Sequence, residues 1–300
     1  MSSDLLEHIQ SMSSDFSKGQ RMIAQYIIDH YDKAAFMTAS KLGVTVGVSE
    51  STVVRFASEL GYEGYPQLQK ALQELIRNRL TSVQRMELSN EQLGNNDILQ
   101  KVLTMDIDKI RRTLEETSRS DFSAAVDTIN QARTIYIMGI RSSEALSDFL
   151  YYYFKLIFEN VRLIGKTSAS ELFEQLLRID ERDVIIGISF PRYSSRTVKA
   201  MKYAKDCGAK VVAITDSLRS PLTPFADHTL VAQSAMTSFV DSLVAPLSLI
   251  NALIAAVGRK RSKEVFETFQ KLEFIWDRYQ VYQKNSSNDA GVVGDDVRDV

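Results

Sequence analysis

The chain has 300 residues, with 36 Lys and Arg against 38 Asp and Glu, for a formal net charge of −2. At 44% hydrophobic and 25% charged residues it has the balance of an ordinary soluble globular protein, with no global basicity to hold nucleic acid non-specifically. This length suggests about two domains, and the single cysteine, Cys207, excludes an intramolecular disulfide and points to a reducing, cytoplasmic setting.

The opening MSSDLLEHIQ lacks the basic and apolar regions of a secretory signal. The longest apolar stretch, 240–257, is broken by Asp241, Ser242, Pro246, Ser248 and Asn251, so no membrane span is expected. There is no metal-ligand spacing, Walker loop or nucleophile elbow, and neither a metal nor a cofactor is expected.

Residues 1–80 read as all helix. A short amphipathic segment covers 4–12. Ser17 can cap a second helix that carries Ile23 and Ile27 on one face. The most ordered local syntax is TASKLGVTVGVSESTVVRFASELGYEG. Thr38 is a helix cap, Gly47 a tight turn, and Ser49 the cap of a second helix with Glu50 in its first turn. Val53, Phe56 and Leu60 form that helix's buried stripe, and Gly61 suits a left-handed C-terminal cap. Two short helices joined by a Gly-bearing turn make a helix-turn-helix. Ser49, Ser51, Thr52 and Arg55 then face away from the core, with Lys41 close by, and these side chains suit phosphates and base edges. The same residues would also serve as a plain solvated helix face. The first eighty residues hold eight Lys and Arg against nine Asp and Glu. Such a head grips the phosphate backbone weakly as a monomer.

Residues 65–79 continue as a helix. Residues 81–119 are read as a polar linker followed by a connecting helix capped by Asp97. From 120 the pattern becomes strand and helix in alternation. Strands are expected at 134–139, 161–164, 184–189, 211–215 and 228–232. Helices are expected at 143–159, 170–179, 194–207 and 239–258. This alternation implies a three-layer αβα domain on a five-stranded parallel sheet, over 120–284 with a further helix at 262–282. The acidic end, 285–300, is expected to be disordered.

VIIGISFPRYSS, from Val184, is a buried strand that opens into a hydroxyl-rich loop at a helix start, a common way for α/β proteins to bind anions. The segment from Thr38 to about residue 69 resembles the helix-turn-helix of the RpiR family of bacterial transcription regulators. Residues 134–233, with VIIGIS and AKDCGAKVVAITDSLRSPLTPFAD, resemble a SIS (sugar isomerase) domain, the effector domain of that family. The resemblance implies a flavodoxin-like sheet, a phosphorylated sugar or related anion as effector, operator DNA as partner, and a homodimer or homotetramer.

It further implies that Ser189 and Ser194 supply hydroxyls after the third strand. Ser142 and Ser143 match the serine loop after the first strand, and Thr215, Asp216, Ser217 and Ser220 the segment after the fourth. Four positions depart from the family pattern. Pro191 stands on a usual serine of the loop after the third strand. Arg141 and Arg192 stand where glycines are usual, either as solvated charges or as an inward clamp on an anion. Gly43 stands where Ala is usual. The alternative reading is a sugar-phosphate isomerase. Isomerisation needs a general base, and His228, Glu144 and Glu171 are the residues available near the sheet, so a regulator without catalysis is expected.

Overall fold

In a computed structural model, residues 5–79, 83, 84, 86, 97–165, 169–235 and 240–282 are described. The expected acidic tail at 285–300, most of the expected linker and the expected helix start at Phe239 lie outside them.

Six helices form the N-terminal part: α1 Leu5–Ser11, α2 Lys18–Asp29, α3 Tyr31–Ala34, α4 Ala39–Val46, α5 Glu50–Glu59 and α6 Tyr65–Arg79. Each start has a local cause. Ser17 and Gln20 make a capping box at α2, since the Ser17 hydroxyl accepts the Gln20 N–H and the Gln20 amide oxygen accepts the Ser17 N–H. Thr38 and Ser49 cap α4 and α5 by accepting the N–H of Lys41 and Thr52. Gly47 and Gly61 turn out of helices with φ of 78° and 84°. The apolar faces meet in one core of Ile9, Phe16, Ile23, Ile27, Leu42, Val53, Phe56, Leu68 and Leu72. Tyr65 is buried among them, and its hydroxyl donates to the carbonyls of Met37 and Ala34 at 2.8 and 3.3 Å.

The remainder runs α7 Ile98–Glu116, α8 Arg119–Gln131, β1 Ile135–Gly139, α9 Glu144–Ile157, β2 Val161–Ile164, α10 Ala169–Gln175, β3 Val184–Ile188, α11 Ser195–Asp206, β4 Lys210–Thr215, β5 His228–Val231, α12 Val244–Lys260 and α13 Ser262–Arg278. All five strands are parallel, in the order β2-β1-β3-β4-β5. Alternate residues feed two cores. Ile135, Ile137, Val184, Ile186, Val212 and Ile214 face α8, α9 and α12. Tyr136, Met138, Ile185, Val211 and Ala213 face α10 and α11. The three-layer expectation is met, because strands buried on both faces need helices on both sides.

Several boundaries differ from the sequence expectation. The turn Arg141–Ser143 is a tight 3₁₀ turn, so α9 begins at Glu144. α10 stops at Gln175, where i→i+3 bonds tighten the chain and turn Leu176 and Ile179 into the core. α12 starts at Val244, which places Pro246 in the first turn, where its missing N–H costs no helical bond. α13 ends at Arg278, shortly before Gln280 enters the left-handed region at φ 50°. The connecting helix α7 packs against α12. Buried Lys109 pairs with Asp106 at 3.0 Å, and Ser242 donates to the same carboxylate at 2.7 Å.

Candidate functional site

Two surfaces combine the residues singled out by sequence. The first is the start of α5. Ser49 Oγ lies 2.9 Å from Ser51 Oγ and 2.8 Å from Thr52 Oγ1, and accepts the Thr52 N–H. Arg55 Nε donates to the Ser51 carbonyl at 3.4 Å, which lays the guanidinium back along the helix. Ser49, Ser51 and Arg55 are exposed and Thr52 is half-buried; Lys41 is exposed on α4. A Cβ on Gly43 would sit 2.8 Å from the Val48 carbonyl oxygen, so the two helices of the motif approach more closely than alanine permits. A Cβ on Gly19 would meet Thr52 Cγ2 and Val48 Cγ1 at 3.4 Å. The start of α2 therefore abuts the start of α5 and brings exposed Lys18 and Arg21 to this surface. The sequence reading missed these two cations because they are about thirty residues away along the chain.

The second surface lies at the carboxyl ends of the strands. β1 and β3 are neighbours, with Gly139 opposite Ile188. Their outgoing helices, α9 and α11, cover opposite faces of the sheet. The chain therefore parts between these strands, which is where doubly wound sheets open a crevice. Both loops emerge there. A Cβ on Gly139 would fall 2.3 Å from the Ser143 carbonyl oxygen, so the turn folds directly back on the strand end. Ser142 is exposed; Ser143 is buried and makes no side-chain cap on α9.

In the β3 loop, the Ser194 N–H donates to Ser189 Oγ at 3.1 Å and the Thr197 N–H to Ser194 Oγ at 3.4 Å. Both serines thus cap local amides, and each keeps its own O–H to donate. Thr197 Oγ1 is buried at the start of α11 without a hydrogen-bond partner. An orphaned buried hydroxyl at a helix start is a place where a bound anion would supply the missing partner. Tyr193 donates to Asp216 Oδ1 at 2.7 Å and ties the β3 loop to the β4 loop. Thr215 Oγ1 donates to Ser220 Oγ at 2.8 Å, and half-buried Ser217 accepts the Arg219 N–H at 3.1 Å. Neither Tyr193 nor Thr197 was singled out from sequence. The available signal was Thr197 standing three residues after the Ser194 cap.

Arg141 and Arg192 have φ of 61° and 63°. Each therefore holds the left-handed conformation that glycine adopts without strain, at roughly 1 kcal/mol or more for a residue with a Cβ. Both side chains are exposed. His228 begins β5 and is hydrogen-bonded to Thr128 Oγ1 at 2.9 Å, at the opposite end of the sheet from these loops.

Residues 3–79 match the helix-turn-helix domain of the rpiR family, and residues 128–256 match the SIS domain. The chain belongs to the RpiR family of transcriptional regulators. An HTH-type transcriptional regulator of Clostridium perfringens is 24% identical over 269 residues, 88% of this chain and 95% of the relative. Among solved structures, the sugar isomerase domain of an RpiR transcription factor from Sphaerobacter thermophilus is 28% identical. It superposes with a TM-score of 0.55 over 57% of this chain and 96% of that one. The Vibrio vulnificus NanR protein, solved with ManNAc-6P, has a TM-score of 0.57 at 22% identity, covers 92% of this chain and 98% of its own, and shares the fold. As an RpiR-family regulator the chain joins a DNA-reading helical head to an αβα body.

Proposed function

We propose that this regulator binds operator DNA through residues 1–80 and senses a phosphorylated sugar or related anionic metabolite at the carboxyl ends of β1 and β3, in a domain spanning 120–284. The observation that carries the effector half is the junction of the β1 and β3 loops, where α11 starts beside the buried, unpartnered hydroxyl of Thr197. The phosphate is held by the α11 amides with the hydroxyls of Ser189 and Ser194, supported by Ser142, Ser143 and Ser217. Arg141 and Arg192 receive further negative charge on the ligand. On the DNA side, Ser49, Ser51, Thr52 and Arg55 reach bases and phosphates, and Lys41, Lys18 and Arg21 contact the backbone. The reading is of a sensor without turnover: the domain's histidine, His228, lies away from the loops, and an isomerase would need Glu144 or Glu171 as its general base. The protein works in the cytoplasm as a homodimer or homotetramer. Leu103, Ile107, Ile110 and Leu114 support self-association, since they lie exposed on α7 at the 4-3-4 spacing of a helix–helix seam.

The test is a thermal-shift panel of sugar phosphates and phosphorylated sugar acids, ManNAc-6P among them, followed by gel retardation with and without the best ligand. A ligand at 100 times its Kd adds about 2.7 kcal/mol to stability. A panel with no shift would remove the sensing function. Normal retardation by Arg55→Ala would remove that residue from the DNA interface.

A further inference from the structure

At the other end of the sheet, where the strands begin, lies a cavity of about 410 Å³ with four arginines on its wall: Arg133, Arg162, Arg178 and Arg182. Two of them are spoken for. Arg133 holds Asp183 through Nε at 2.9 Å and Nη2 at 2.6 Å, and reaches Asp180 at 3.1 Å. Arg182 holds Asp180 through Nε at 3.1 Å and Nη2 at 2.7 Å. The backbone N–H groups of Asp180 and Arg182 fill further positions on the same carboxylates. Two acids are thus consumed by two guanidiniums in a fixed lattice.

Arg162 and Arg178 line the same cavity with no carboxylate partner among the described residues. Arg162 is held 5.6 Å above the Tyr136 ring, which orients the guanidinium without neutralising it. The wall also carries the Asn160 amide and Thr134. Two uncompensated forks beside a rigid pair, in one concavity, are the arrangement that a phosphate group neutralises through bidentate bonds. A strand of five residues separates this cavity from the β1 loop, roughly 16 Å.

We propose that this cavity is a second anion site, for a small molecule bearing a phosphate or diphosphate, distinct from the effector crevice.

The experiment is calorimetric titration of the full chain with inorganic pyrophosphate, at constant ionic strength set with chloride. Three proteins are compared: the parent, Arg162→Ser with Arg178→Ser, and Ser189→Ala with Ser194→Ala. The arginine pair is expected to lose at least tenfold in affinity at one site, which the serine pair retains. Should the arginine pair fail to fold, Arg162→Lys with Arg178→Lys replaces it and is expected to bind more weakly, since lysine cannot form the fork. Parental titration by a folded arginine variant overturns the site. So does heat that follows ionic strength in place of anion identity. A changed sedimentation mass with pyrophosphate binding intact overturns it too, and makes the cluster a contact between copies.

Discussion

Single residues here do work that their type does not announce. Gly43 costs α4 about 1 kcal/mol of helix propensity relative to alanine, yet a Cβ there would press to 2.8 Å on a backbone oxygen that cannot swing away. Gly43→Ala is therefore expected to destabilise the head by about 1–3 kcal/mol, read by urea unfolding; a variant as stable as the parent would mean the turn yields. Tyr65 is a second case. Burial pushes its phenol up to about 12. A folded pKa above the unfolded value means that the native state keeps its proton longer, so the stability is fully present below about pH 10 and is lost as pH rises toward 12. Stability should fall by on the order of 2 kcal/mol across that window, and Tyr65→Phe should flatten the fall. The same substitution should cost about 1 kcal/mol at neutral pH through the lost bond to Met37. An alkaline slope identical in parent and variant would contradict the assignment.

At the scale of elements, the β1 and β3 loops turn on non-glycine residues at two adjacent strand ends. An observed outlier at a crevice is the sound starting point for a functional reading. Arg141→Gly is expected to keep folding stability within about 0.5 kcal/mol, because relief of the left-handed strain offsets the added entropy of the unfolded chain. Its effector affinity is expected to fall. Arg192→Ala is expected to weaken effector binding more than tenfold by calorimetry, and unchanged affinity would place Arg192 outside the site. The elements themselves were largely legible in the sequence. Caps at Ser17, Thr38, Ser49 and Asp97 act within three residues of their own position, and the structure shows each accepting a first-turn amide. The ends of α10 and α13 were not legible, since each is set by how the chain re-enters the core or turns left-handed beyond the last helical residue.

At the scale of the molecule, the exposed stripe of α7 carries Leu99, Leu103, Ile107, Ile110 and Leu114, while the helix also packs against α12 and its Asp106 accepts from Ser242, just ahead of α12. Ile107→Glu together with Ile110→Glu should lower the mass seen by light scattering while leaving the helical circular dichroism unchanged, because neither side chain is in the core. An unaltered mass would move self-association to another face. Composition, periodicity and caps by themselves determined two domains, a helix-turn-helix and a parallel αβα sheet, because those signals act over one to four residues or through the alternation of apolar runs. Only the tertiary structure decided which loops share the β1–β3 crevice, that Arg141 and Arg192 both occupy left-handed positions, and that Lys18 and Arg21 stand beside α5. The physical reason is strand order and helix packing, which join residues tens of positions apart through contacts that leave no trace in local spacing. The same packing gathers Arg133, Arg162, Arg178 and Arg182 at the foot of the sheet, from segments that along the chain look like separate solvated charges.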